Sequence, residues 1–160
     1  MKAVAVDLDA LGDTRPLWRD FLVDAARRFA AIAPLDPEAL ADDRAAAAVE
    51  LDRWAEAGVG DWRGALHRFA EDRAPVYLRP NAEASAALRA LGDAGVRVGV
   101  HSDAPEALAG VALAQLGAAR YIEAVETGDG ALERLVARLG GDVETAATLA
   151  ELTKISIDAS

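Results

Sequence analysis

The chain has no cysteine, only two lysines (Lys2 and Lys154) and two histidines, and just 5% aromatic residues. Without cysteine there can be no disulfide, no thiolate metal centre and no cysteine nucleophile. No apolar run approaches the roughly 18 residues of a membrane-spanning helix. The first segment is a short apolar stretch broken by Asp7 and Asp9 rather than a signal peptide. Positive charge is also scarce, with 17 Lys and Arg against 27 Asp and Glu, a formal net charge of −10. That balance argues against a nucleic-acid or anionic-membrane surface, both of which need basic clusters. The expectation is a soluble cytoplasmic protein with neither nucleic acid nor membrane among its partners.

What is present is ordinary globular material, 52% apolar and 28% charged over 160 residues, enough for one domain with a small insert. About a quarter of the residues are alanine. With arginine as the main basic residue, this favours helix. Lys2–Asp9, a short apolar run ending in two carboxylates, reads as a buried strand of a parallel sheet. Asp13-Thr14-Arg15-Pro16 is a helix start, and helices are predicted to about Ile32, over Pro37–Ala57 and over Trp62–Asp72. Residues 15–76 contain no convincing strand, and Trp18, Trp54 and Trp62 are placed in the core of that helical block. From Tyr77 helix and strand alternate. Ala84, Ala87, Leu88 and Leu91 share a helix face, and Val96–Val100 is a strand. Asp103-Ala-Pro-Glu106 reads as a capping box, with Asp103 as N-cap of the helix through Leu116. Tyr121–Val125 is a strand, and Leu132, Leu135, Val136 and Leu139 lie on one helix. Val143–Thr148 is a fourth candidate strand, and Lys154–Asp158 an extended tail.

Such an order implies a parallel sheet with helices on both faces, in which ligands bind outside the carboxyl ends of the strands. Asp7 and Asp9 lie at that end of the first strand, and His101-Ser102-Asp103 at that end of the second. Two aspartates two residues apart point the same way if the chain stays extended. Such a pair can hold Mg2+, one member can attack phosphorus, or both can simply cap turns. Ser102, before a helix start, can offer a hydroxyl and amides to an anion, or can merely shape the turn. His67 and His101 have no partner at a telling spacing and read as structural. Gly128-Asp129-Gly130 lacks the lysine of a phosphate loop and reads as a plain turn.

Together, Val4-Ala-Val-Asp7-Leu-Asp9-Ala-Leu-Gly-Asp13-Thr14 and Val96-Arg-Val-Gly-Val-His-Ser102-Asp103, with a helical block between them, resemble the haloacid dehalogenase superfamily. Most members of that family are Mg2+-dependent phosphatases. The resemblance implies an α/β fold, a three-layer Rossmann-like parallel sheet of about four strands. Residues 1–14 and 77–160 would form the core, and 15–76 an inserted helical cap. It makes Asp7 the nucleophile, Asp9 the general acid/base and Ser102 the group that hydrogen-bonds the phosphoryl. Asp7 and Asp9, with Asp103, would hold Mg2+.

The departures from the family pattern are specific. Ala10 stands where a Gly-Thr pair is expected. No lysine lies in Glu126–Ala131, with Arg134 as a distant substitute, and Gly141-Asp142-Val-Glu144 precedes a strand where the acidic motif should follow one. A strand, the acidic loop and a helix are therefore expected to be missing between Leu139 and Val143. Losing one preorganised charge-stabilising group typically costs about 10²–10³ in rate. Two functions follow as expectations. One is a catalytically impaired relative with a binding or regulatory role, its partner a small phosphorylated molecule or another protein. The other is a divergent Mg2+-dependent phosphatase working through an Asp7 phospho-intermediate. Nothing in the sequence fixes an oligomeric state.

Overall fold

The computed structural model describes residues 2–160. Four parallel strands, β1 (Lys2–Asp7), β2 (Arg97–Ser102), β3 (Ala124–Thr127) and β4 (Asp142–Ala146), form a single sheet in the order β3-β2-β1-β4. β1 lies between β2 and β4, with Val6 opposite Val100 on one side and Ala146 on the other. Covered on both faces, its residues 3–6 are all fully buried, which is why the strand reads as a continuous apolar run rather than an alternating one.

The two faces still differ. Val4, Val6, Val98 and Val100 join one core with α5 (Ala82–Asp93), α6 (Glu106–Gln115) and α8 (Leu149–Ala159). Ala3, Ala5 and Ala124 join a smaller core with Leu135 and Leu139 of α7 (Ala131–Leu139). Small residues on that face let α7 approach closely. A Cβ on Gly99 would stand 2.6 Å from Leu135 Cδ1 and 3.3 Å from the Ala124 carbonyl oxygen. The result is the expected three-layer α/β architecture. No helix among the described residues is long and apolar enough to cross a membrane.

Between β1 and β2 the chain is helical. A single turn, α1 (Leu8–Leu11), leads to α2 (Arg15–Arg28), α3 (Arg44–Trp54) and α4 (Trp62–Tyr77). The three tryptophans are buried as expected. Trp54 Nε1 donates to the Ala33 carbonyl (3.0 Å) and Trp62 Nε1 to Asp52 (2.9 Å), so neither burial leaves an orphan donor. Helix boundaries depart from expectation where short polar side chains capture amides. The segment expected as one helix from Pro37 is a 3-10 turn (Pro37–Ala39), a break, and then α3, whose Ala45 N–H donates to Asp43. α2 ends at Arg28, and α4 runs past Asp72 to Tyr77 with Pro75 in its last turn. The third strand starts at Ala124, because Ala119–Tyr121 is a 3-10 turn.

Two corrections concern the C-terminal third. Lys154–Asp158 is not an extended tail but part of α8. Thr148 caps this helix by accepting the Glu151 N–H, and Leu152 and Ile155 are its inward face. The alternation Ile155-Ser156-Ile157 suggested a strand, but Ile157 is 66% exposed, as the helical period requires. Nor is a strand missing after Leu139. β4 follows α7 directly and takes the place beside β1, and a helix follows it. What differs is the residues at the end of β4, Ala147 and Thr148, where the resemblance expects acids.

Filling the gap under α7 is expected to be costly. Gly99→Val should lower stability by about 1–3 kcal/mol, the range for overpacking a tight core, measured as a reduced urea midpoint. An unchanged midpoint would show that α7 can shift freely on the sheet.

Candidate functional site

In the order β3-β2-β1-β4 successive strands are added first on one side of β1 and then on the other, so the switch point lies between β1 and β4, and the crevice expected for a ligand lies outside the carboxyl ends of these strands. β1 ends at Asp7. The strand does not continue to Asp9, because Leu8–Leu11 turn helical and Asp7 Oδ1 caps the turn by accepting the Asp9 N–H (2.9 Å). The two aspartates therefore do not share an extended face, as the sequence spacing had suggested.

Asp9 is engaged at both oxygens. Its Oδ1 accepts from Thr14 N–H (2.9 Å) and Thr14 Oγ1 (2.7 Å). Its Oδ2 accepts from Arg44 Nη2 (2.9 Å) and lies 3.5 Å from Arg15 Nε. Asp103 is also taken up at both oxygens. Its Oδ1 accepts from Arg44 Nε (2.9 Å) and its Oδ2 from the Arg44 backbone N–H (3.0 Å). This corrects the capping box. The residue preceding α6 is Pro105, with no side-chain cap, and Asp103 instead satisfies the first amide of α3, contributed by a segment 59 residues away in sequence.

Arg44, 1% exposed, is the centre of this arrangement, and its Nη1 also donates to Thr14 Oγ1 (2.6 Å). It is not among the residues that the sequence pattern singles out. One signal was available: Arg44 follows two aspartates at the start of an alanine run, so its cation stands at the positive end of a helix dipole. A charge placed there needs carboxylates close by.

Ser102 is 2% exposed, and its Oγ accepts the Ala104 N–H (3.0 Å). It shapes the turn after β2. His101 pairs in register with Asp7, so the two side chains share a face at the strand ends. His67 lies on α4 in an i,i+4 pair with Glu71. Gly128 and Gly130 have φ of 84° and 67°, conformations that glycine tolerates, and form the turn into α7. Arg134 donates to the Thr127 carbonyl (2.6 Å) and to the Asp129 carbonyl, which secures that turn rather than serving the strand ends.

Charge at the site is unevenly settled. Burial, with the neighbouring Asp9 and Asp103 charges, pushes Asp7 above its ordinary pKa of 3.8, against the Asp9 N–H bond and the nearby His101. Burial acts the same way on Asp103. There the Arg44 amide, charge and side-chain hydrogen bond outweigh it and hold the carboxyl below its ordinary value.

Mg2+ does not fit these residues as they stand. The ion demands a near-octahedral set of oxygens. Yet Asp9 and Asp103 are turned onto a guanidinium, and the end of β4 offers Ala147 and Thr148. Among the described residues no group of three or more His, Asp or Glu side chains is set to hold a metal. Beside the site, a cleft of about 1190 Å3 opens between the helical block and the sheet domain. Its walls include Asp52, Glu71, Asp103, Glu106 and Asp129 together with Arg63 and His67, over an alanine- and valine-rich floor, and neither Asp7 nor Asp9 lines it.

Comparison with known structures places the fold. A "putative beta-phosphoglucomutase from Thermotoga maritima" superposes with a TM-score of 0.58 at 18% identity, over 98% of this chain and 82% of the other. The chain thus shares the α/β fold of that structure, a parallel sheet flanked by helices. No protein-family model and no curated protein sequence matches it.

The direction of the Asp7 shift gives a stability signature. A carboxyl whose folded pKa is raised loses stability as pH climbs from 3.8 through that folded value. Asp7→Asn, which keeps an acceptor for the Asp9 amide, should raise the urea midpoint at pH 7. The gain should vanish at pH values where Asp7 is protonated in both states. A midpoint that falls at pH 7 would mean the Asp7 charge is compensated in the fold.

Proposed function

We propose that this chain is a haloacid dehalogenase-fold protein that has given up phosphoryl transfer and acts as a binding or regulatory protein. The observation that carries this reading is Arg44, which ties up the carboxylates of Asp9 and Asp103. Phosphoryl transfer is mostly positioning and neutralisation of charge. On this reading Asp7 would face a dianionic phosphate from beside two other carboxylates. The residue that the resemblance makes general acid/base, Asp9, has both oxygens occupied. Each missing charge-stabilising group costs about 10²–10³ in rate, so two such losses take the reaction towards the uncatalysed rate.

The cleft between helical block and sheet is the binding place on this reading: at about 1190 Å3 it is slightly larger than the roughly 300–1,000 Å3 usual for small-ligand pockets, and it has their apolar floor and few polar groups. Asp52 and Asp103 are paired with Arg63 and Arg44, and the remaining wall acids, Glu71, Glu106 and Asp129, favour an uncharged or cationic ligand over a phosphate. The alternative reading, an Asp7-dependent phosphatase in the cytoplasm, draws on two features: only Oδ1 of Asp7 accepts a hydrogen bond, and Asp7 ends β1, which lies between β2 and β4.

The test is hydrolysis of an aryl phosphate by the wild type and by Asp7→Asn, each with and without millimolar Mg2+. The expected result is the same background rate in all four. Hydrolysis that needs both Asp7 and Mg2+ would overturn the proposal in favour of the phosphatase.

A further inference from the structure

We propose that the cleft between the helical block and the sheet is a docking groove for one α-helix of a partner protein, apolar on its inward face and basic on its flanks. This deepens the preceding reading, which makes the cleft the binding place, by naming what fills it.

Two helices line the cleft with the spacing that a third helix can pack against. α6 contributes Ala107, Gly110, Val111 and Ala114, at i, i+3, i+4 and i+7, and α3 contributes Ala45, Ala48 and Val49, at i, i+3 and i+4. Each row is small residues with a single valine, so both helix backbones can be approached closely. Val49 is 53% exposed, a branched apolar side chain left to water on a concave wall. Gly110 is the sharper observation. Glycine weakens a helix interior relative to alanine, and a Cβ at this position would meet nothing within 4 Å. No neighbour within the chain calls for glycine there, whereas an element packed onto α6 from the cleft would. Size agrees as well. Three turns of helix, roughly 10 Å across and about 15 Å long, displace about 1,200 Å3, the order of the 1190 Å3 of the cleft.

Charge selects the kind of helix. Asp52 and Asp103 are paired with Arg63 and Arg44, and Glu71 with His67. Glu106 in the first turn of α6 and Asp129 in the turn after β3 are both exposed on the cleft wall and make no ion pair among the described residues. They are open to lysine or arginine from outside. A second copy of this chain would bring a net charge of −10 towards them, and like charges across an interface are costly, so the partner is a different, basic chain.

The probe is a fluorescein-labelled peptide of about 16 residues, long enough to hold a helix in water, with alanine and leucine on one face and lysine on the other. Its controls carry glutamate for lysine, or a central proline that breaks the helix. Binding is read by fluorescence anisotropy. The wild type is expected to bind only the unbroken lysine peptide. Gly110→Leu, which fills the groove, should bind it at least about tenfold more weakly with no fall in urea midpoint, since leucine favours helix and the position is exposed. Glu106→Gln with Asp129→Asn should bind more weakly and with less dependence on salt. No binding by the wild type, or equal binding by either variant, would overturn the proposal, as would equal binding of the glutamate peptide. Equal binding of the proline peptide would show a site for cations rather than for a helix, and a lowered midpoint in Gly110→Leu would show that the chain itself uses the space; each also overturns it. Aryl phosphate hydrolysis that needs Asp7 and Mg2+ would sink the non-catalytic reading and leave helix docking standing, while failure of the peptide without hydrolysis sinks helix docking alone.

Discussion

The structure turns on one buried guanidinium. Removing two carboxylates and an arginine from water costs several kcal/mol per ion, and the attraction between them repays this only with good geometry and satisfied donors. Arg44 meets that condition, with three side-chain hydrogen bonds and a fourth from its amide. Arginine suits the place better than lysine. Its charge is more weakly hydrated and its donors are fixed in a plane, so it can address Asp103 and Asp9 at once. The helical block is seated against the strand ends through this contact, which pairs Asp9 and Asp103 with one cation.

The fold delivers these groups to one place by ordinary means. β1 sits at the centre of the sheet because residues 3–6 are apolar and small enough to be covered on both faces. Asp7 is its last residue, and Thr14, the residue before α2, is buried beside Asp9. β2 lies against β1 in parallel register and brings Ser102 and Asp103 to the same end. β4 completes the edge, but with alanine and threonine after it. The topology of a ligand-binding α/β sheet is therefore present, while the chemistry at its switch point is that of an internal ion cluster. A likeness in fold at 18% identity is compatible with either chemistry, because fold and site vary independently.

The alternating β/α architecture was legible in the sequence because strand and helix periods were strong from Tyr77 onward, and both Asp7 and Ser102 were correctly placed at strand ends. The tail was misread because Ile155 and Ile157 alternate like a strand, whereas Thr148 and Leu152 set a helix. The geometry after Asp7 was misread because the spacing of Asp7 and Asp9 holds meaning only if the strand continues. A one-turn helix, decided by the Asp7 cap, breaks it. Asp103 reads as the cap of the nearest helix start, since sequence proximity cannot show that the start of α3, 59 residues upstream, is its partner in space. Arg44 went unseen for the same reason. Its partners Asp9 and Asp103 are remote in the chain, and only the packed sheet makes them neighbours.

The contact between Arg44 and Asp103 also closes a long loop of chain. Two segments that could have formed separate folding units are cross-braced by charges that neither can leave unpaired. The helical block cannot detach without exposing Asp9 and Asp103 to each other, and the sheet cannot loosen at Asp103 without freeing the start of α3. Such mutual dependence favours a single cooperative unfolding transition over stepwise melting of the block. It also makes the helical block a poor candidate for transplantation as an independent module, although sequence alone would mark it as one.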